Sequence, residues 1–289
     1  MALKMIVMIK QVPDTQNITG EAMKPDGTVN RGALPAITNP EDLNALEEAL
    51  KIKERVGGTV TAVSMGPPNS AKALKECLYR GVDDVILITD ARFAGADTLA
   101  TSYVLQCAVE KIGEYDIILC GRQAIDGDTA QVGPQLAEKL KLNQLTSIVG
   151  VEDVTDEAIT VKRQIDGGYE IVKSRLPVLM TVTEQANEPR SPSAKRVLSY
   201  KNIDKKLGND SYDEVYLNAD QQGALTFIKE WNVEIIGARP EVCGLSGSPT
   251  MVKKIQNVVL TVSDMKQIPN TKAGINELVH ELIAEHIIG

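Results

Sequence analysis

The chain has 289 residues, of which 43% are hydrophobic and 24% charged, with a formal net charge of −8. That length suits one large domain or two small ones, with room for a sizeable core. The acidic balance argues against a nucleic-acid partner, which needs a basic patch, and no apolar run reaches the ~18 residues of a membrane span.

Leu3 to Ile9 is a continuous apolar run, as expected of a parallel strand buried on both faces. As a secretory leader it is too short, and no small-residue cleavage site follows. A loop containing Pro, Gly and Asp runs from Val12 to Thr38. A strong helix signal comes next. Asn39 stands at the N-cap, Pro40 at the first helical position and Glu41 and Asp42 in the first turn, with Gly57-Gly58 as the stop. Thr59 to Met65 reads as a second strand, Ser70 to Arg80 as a helix closed by Gly81, and Val85 to Thr89 as a third strand. Asp97 to Ile112 is a helix and Ile117 to Cys120 a fourth strand. Strands alternating with helices in this way predict an α/β fold, a doubly wound, mostly parallel Rossmann-like sheet with helices on both faces.

After Leu142 the pattern changes. Ala158–Ile165 and Tyr169–Ser174, joined by Asp166-Gly167-Gly168, form a hairpin signal. Val178–Thr183 is another strand that could close the sheet. Asn187 to Pro192 reads as a loop and Ala194 to Lys201 as one short basic helix. A polar stretch with little periodicity runs on to about Ser248, and Ile275–Ile288 is a final amphipathic helix. Such a tail buries little by itself. The expected division is therefore a nucleotide-binding domain over 1–205 and a C-terminal arm and helix over 206–289 that wrap a partner.

Cys77, Cys107, Cys120 and Cys243 show no C-x-x-C spacing, so they read as small buried residues in a reducing compartment and not as a metal set. The two His residues, His280 and His286, lie in the tail, so chemistry needing a central His has no candidate. Aromatics make up only 3%. A flavin ring bound here would lie at an edge or against a partner.

The segment richest in chemistry runs from Gly121 to Gly133: Gly121, Arg122, Gln123, Ala124, Ile125, Asp126, Gly127, Asp128, Thr129, Ala130, Gln131, Val132, Gly133. It follows a buried strand and precedes a helical pattern that begins near Thr129. This is where α/β folds bind phosphates, on free N–H groups and a positive helix end. It has no Lys and so is not a Walker loop, nor is it G-x-G-x-x-G. Asp126 and Asp128 have the wrong sign to touch phosphate. They are expected to cap the helix or to bond ribose or backbone groups, while N–H groups, Thr129 and Gln131 meet the phosphates. The plain reading of the same spacing is a structural loop that caps a helix.

Segments along the chain resemble the β subunit of electron-transferring flavoproteins. They are Lys10-Gln11-Val12-Pro13-Asp14-Thr15; Asn39-Pro40 with Ala45-Leu46-Glu47-Glu48-Ala49; Val63-Ser64-Met65-Gly66-Pro67; Gly121 to Asp126 leading into Gln131-Val132-Gly133; and Asp166-Gly167-Gly168, Leu176-Pro177 and Asn187-Glu188-Pro189-Arg190 in order. The resemblance implies a cytoplasmic heterodimer with an FAD-carrying α subunit. It also implies a β-subunit site for FAD or, alternatively, AMP, at Met8, Asn39, Asp42, Met65 and Gly121 to Gly133. No side chain need act as acid, base or nucleophile. Ordinary carriers serve acyl-CoA dehydrogenases. A second branch bifurcates electrons from NADH to ferredoxin or flavodoxin and to a high-potential acceptor dehydrogenase. Val12-Pro13-Asp14-Thr15, Asn39 to Glu47 and Gly247-Ser248-Pro249-Thr250 look like that branch.

Several residues keep two readings. Asn39 is an N-cap, a ligand contact, or both. Met65 is strand-end packing or a lid over a ring. Arg122 is salt-bridged, or places a positive charge that tunes a flavin. Asp14 and Thr15 are turn residues, or shape the approach of NADH. Asn187, Glu188, Pro189 and Arg190, with the basic Lys195, Arg196, Lys201, Lys205 and Lys206, are a solvated face or dock an acidic partner by steering. Ordinary carriers dock through a Leu just past that loop. Here the position is Ala194, so docking by a single apolar anchor is not expected.

Overall fold

The computed structural model describes residues 2–14, 34–201, 203, 228–250 and 266–284. Its centre is a nine-stranded sheet, in the order β11-β5-β4-β1-β6-β10-β7-β8-β9. The strands are β1 Leu3–Met8, β4 Gly58–Met65, β5 Asp84–Ile88, β6 Ile117–Gly121, β7 Asn143–Val154, β8 Ala158–Ile165, β9 Gly168–Arg175, β10 Val178–Val182 and β11 Lys229–Trp231. A separate two-stranded ribbon pairs β2 Gln11–Pro13 with β3 Ala36–Thr38. Six of the sheet's neighbour pairs are parallel, and only β7–β8 and β8–β9 are antiparallel. This is the predicted α/β architecture, with the hairpin at Asp166-Gly167-Gly168.

The apolar runs alternate between two cores. Met5, Val7, Val60 and Ala62 pack with α1 (Pro40–Val56) and α2 (Ala71–Arg80) on one face. Ile6, Met8, Val63 and Ile86 pack on the other face with α3 (Thr98–Ile112) and α4 (Val132–Leu140). Strands covered on both faces read as unbroken hydrophobic runs, which is why β1, β4, β5 and β6 were legible.

Three expectations change. β7, twelve residues long, has no clean alternation because its ladders carry irregularities at Ile148/Gly150, Val151/Asp153 and, against β10, near Ser147, whose φ is 58°. A bulge spoils the period of two on which strand reading depends. β10 lies inside the sheet between β6 and β7 and does not close its edge. The stretch expected to lack pattern instead supplies β11, paired with β5, and α6 (Val233–Ile236), which buries Val233 and Ile236. α5 (Ala194–Tyr200) and α7 (Lys272–Ala284) stand where short and final helices were expected, and Ile275, Val279 and Ile283 on α7 are exposed.

Candidate functional site

Parallel strands deliver their carboxyl ends to one edge. β1 has β4 on one side and β6 on the other, and it is between β1 and β6 that the strand order reverses, the place where open α/β sheets form a ligand crevice. The β1–β6 register ends at Val7–Leu119. Beyond it β1 stays with β4 through Met8–Val63, and β6 stays with β10 through Cys120–Thr181 and Gly121–Val182.

The first turn of α1 occupies the adjoining space and grips the loop after β6. Asn39 stands at the N-cap position, but its side chain makes no capping bond to its own helix. Its Nδ2 donates to the Gln123 carbonyl at 2.9 Å, and its Oδ1 accepts from the Ile125 N–H at 3.1 Å. The Glu41 carboxylate accepts from Arg122 Nε at 3.1 Å and from the Gln123 N–H at 2.7 Å. Asp42 accepts from the Lys10 N–H at 2.8 Å and from the Gly121 N–H at 3.1 Å. The expectation that these acids merely complement the helix dipole is therefore too weak: each carries tertiary hydrogen bonds. All three side chains are buried. Burial pushes the Asp42 carboxyl up to about 7, against the opposing pull of the N–H donors, the Asn39 side chain and the Lys10 charge.

Gly121 is required by close approach. A Cβ there would lie 2.4 Å from Asp42 Oδ1 and 2.8 Å from the Asp42 backbone nitrogen. Gly133 is packed in the same way, with Thr181 Cγ2 2.8 Å from the place of a Cβ.

The loop divides into two halves. In the first, the N–H groups of Gly121, Arg122, Gln123 and Ile125 already have acceptors in Asp42, Val182, Glu41 and Asn39. Those of Gly127 and Asp128 return to the Ala124 carbonyl. They are spent within the fold and not available to phosphate. In the second half, Asp128, Thr129, Ala130 and Gln131 are exposed. Asp128 and Ala130 are left-handed, with φ of 49° and 51°. α4 begins at Val132, three residues later than the sequence suggested, because those left-handed residues cannot extend a helix. Val132 and Gly133 carry its open N–H groups, since Pro134 has none and the Gln135 N–H donates to the Gln131 carbonyl at 3.0 Å. Asp126 and Asp128 do not cap it: Asp126 accepts from Lys10 Nζ at 2.7 Å and Asp128 from Gln123 Nε2 at 3.2 Å. Thr98 Oγ1 donates to Gln131 Oε1 at 2.9 Å, so the starts of α3 and α4 meet beside this exposed segment.

Met8 is buried and Met65 half-buried, both against the α3/α4 core at adjacent strand ends. Arg122 makes the ion pair expected of its plainer reading, on Glu41, with its side chain still 43% exposed. Asp14 is buried just past β2, and its N–H donates to the Pro35 carbonyl at 2.8 Å. Thr15, Lys205 and Lys206 lie outside the described residues. Among the expected docking residues, Asn187 is bound to α1, donating to Glu48 Oε1 at 2.8 Å and to the Asn44 carbonyl at 3.0 Å. Arg190 is bound to Glu47 and Glu54. Glu188 and Lys195 are exposed, while Pro189 and Arg196 are half-buried.

Sequence reasoning missed the tertiary roles of Glu41 and Lys10 and the clasp on α3. Asp97 caps α3 through the Ala100 N–H at 3.0 Å, and Thr250 donates to it from N–H at 3.1 Å and from Oγ1 at 2.7 Å. Ser248 Oγ accepts from the Asp97 N–H at 2.8 Å. Charge at a helix start is the one local signal that Glu41 and Asp97 carry, and it cannot name a distant partner. No helix among the described residues is long and apolar enough to cross a membrane.

Comparison with known proteins places the chain in a family. Residues 26–206 match the family model described as the electron transfer flavoprotein domain. The chain is 40% identical over 286 residues to the electron transfer flavoprotein subunit beta of Thermoanaerobacterium thermosaccharolyticum, covering 99% of this chain and 100% of that protein. It is 40% identical over 251 residues to subunit CarD of the caffeyl-CoA reductase–Etf complex of Acetobacterium woodii, covering 86% of each. It is 38% identical over 287 residues to protein FixA of Sinorhizobium fredii, covering 97% of this chain and 92% of that protein.

Proposed function

The chain belongs to the electron transfer flavoprotein family as a β subunit, a subunit of electron transfer, and from that premise we propose that its crevice binds FAD and serves NADH-driven electron bifurcation. The observation that carries the FAD reading is the exposed left-handed segment Asp128–Gln131 running into the open N-terminus of α4 at the point where the strand order reverses. The N–H groups from Thr129 onward, with the positive end of a helix behind them, suit a diphosphate. Lys10 offsets the charge of Asp126, and the Asp128 carboxylate is turned onto Gln123 Nε2 at 3.2 Å.

When bound, FAD would supply hydride acceptance and one-electron release. The residues of this chain bind and orient it. Thr129, Gln131 and the N–H groups of Val132 and Gly133 would hold the phosphates, and Met65 would pack beside a ring. Arg122, steadied by Glu41, places positive charge near the site. Three sequence-distant segments support bifurcation by converging on this edge: the Val12–Asp14 ribbon leads through β3 into Asn39, α1 grips the loop, and Ser248–Thr250 clasps the start of α3.

In this reading the partners are an FAD-carrying α subunit, a flavin dehydrogenase of the acyl-CoA class and ferredoxin or flavodoxin, in the cytoplasm. The residues left for docking are Glu188, Pro189, Lys195 and Arg196, with the exposed tail helix for the α subunit. The relative whose name contains a caffeyl-CoA reductase favours an enoyl-CoA acceptor. A second reading, AMP as a structural ligand, is favoured by the scarcity of ring surfaces, two Phe, one Trp and seven Tyr in the whole chain. Ligand content of the purified heterodimer decides. Two FAD support the first reading, and one FAD with one AMP supports the second.

A further inference from the structure

The central crevice has an unusual closure. Past Val7–Leu119 no ladder register joins β1 to β6. β1 leans toward β4, with the Ile9 N–H on the Val63 carbonyl at 2.8 Å, while β6 follows β10. Where the two central strands part, the Asp42 carboxylate stands in for the missing ladder. Oδ2 takes the Lys10 N–H at 2.8 Å and Oδ1 takes the Gly121 N–H at 3.1 Å. The side chain is buried, and both oxygens are committed to backbone. Only a glycine at 121 leaves room for this bridge.

We propose that Asp42 is a positioning residue of the nucleotide site: it fixes the separation of the Lys10 and Gly121 loops without touching the ligand, and only its ionised form does so. The proposal rests on the crevice binding a nucleotide. An ionised carboxylate offers acceptors to both N–H groups. A protonated one turns a donor against one of them and loses that bond. The bridge therefore opens as pH falls through the raised range of this carboxyl, near 7. Lys10, which faces it, is paired through Nζ with Asp126 at 2.7 Å. Cys77 from α2 and Cys120 from β6 are neutral thiols, pushed far up by burial and further by Asp42 itself. Glu41, next along α1, is engaged by Arg122 and Gln123, and Asn39 is uncharged.

The test titrates AMP, and separately FAD, into the heterodimer stripped of β-site ligand, between pH 5.5 and 8.5, for the native protein and Asp42→Asn. Asn keeps one acceptor and sets an NH2 against the other N–H. We expect native affinity to fall about tenfold toward pH 5.5, the loss of one charge-assisted hydrogen bond, and the variant to bind about tenfold more weakly at pH 8.5 with a flat profile. A flat native profile, or a variant with native affinity, overturns the proposal. Should Asp42→Asn not assemble, amide exchange in the native protein decides. Protection at Lys10 and Gly121 should rise together with pH, while Arg122, bonded to the Val182 carbonyl, stays constant. Unchanged protection at Lys10 and Gly121 overturns the proposal. If both amides titrate but neither AMP nor FAD binds at any pH, the nucleotide reading fails and the positioning role falls with it.

Discussion

Arg190 closes on Glu47 through its whole inner edge. Nε donates to Oε2 at 2.8 Å, Nη2 to Oε1 at 3.0 Å, and the Arg190 N–H to Oε2 at 3.1 Å. The pair ties the segment after β10 to the middle of α1, and Glu54 adds a second carboxylate at 2.5 Å. Arg190 thus supports the helix that grips the loop at 121–125. Replacing it with Ala leaves the buried Glu47 carboxylate without its cation and should cost about 2 kcal/mol, below the full value for a buried pair because Arg190 is partly exposed. Arg190→Lys should recover less than half, since an ammonium cannot reproduce the planar fork. Urea unfolding of the three proteins measures this, and a Lys variant as stable as the native protein contradicts it.

Asn39→Ala removes two buried hydrogen bonds and leaves the Gln123 carbonyl and the Ile125 N–H without their partner. A loss of about 3 kcal/mol is expected, together with loss of β-site ligand on purification. Asn39→Asp keeps the acceptor for Ile125 but faces the Gln123 carbonyl with an oxygen. It should fall between Ala and native in thermal unfolding.

Gly121→Ala forces α1 and β6 apart and should destabilise by about 2 kcal/mol, the range of overpacking in a filled site. Gly127→Ala, where a Cβ meets nothing within 4 Å, should be near neutral. Equal melting temperatures for the two variants would remove the close-approach argument.

Asp42 also predicts a pH slope. Its folded-state value, about 7, lies above the ordinary 3.8, so between those limits the native state holds a proton that the unfolded chain has released. Stability should therefore decline as pH rises from about 4 to 7, by up to about 1.4 kcal/mol per pH unit. Asp42→Asn should flatten this slope. Glu54 and Asp90, held below the usual carboxylate range by Arg190 and Arg92, act in the opposite sense, with stability lost as pH falls below about 4. Chemical denaturation at half-unit intervals separates the two, and a native slope rising throughout would refute the Asp42 assignment.

Removing the clasp by Thr250→Val deletes the Oγ1 bond to Asp97 and leaves the N–H bond of residue 250 in place. A cost of about 1 kcal/mol is expected, with faster amide exchange at Ala100, the residue Asp97 caps. Unchanged exchange at Ala100 would show that the tail segment does not steady the start of α3.

The alternation of strands and helices was legible because it depends on short-range properties. An apolar run such as Ile117-Ile118-Leu119 must be covered on both faces, Pro40 and Gly57 bracket a helix by their backbone limits, and Asp166-Gly167-Gly168 reverses the chain locally. The place of the loop after β6 followed, because a loop after a buried strand must reach the carboxyl edge. β7 escaped because a bulge breaks its period, and β11 because three residues at an edge carry no pattern.

What the amino-acid order determined alone was therefore the α/β class, the elements with local signals and the family. The tertiary structure decided the partners. Asn39, Glu41 and Asp42 read as one helix start, yet their hydrogen bonds go to Lys10 and to the loop at 121–125. Hydrogen bonds between residues about 80 positions apart depend on which strands lie side by side, and strand order is set by packing the whole sheet. The same packing divides one conspicuous loop into a half that is spent on structure and a half, Thr129 to Gln131, that stays exposed.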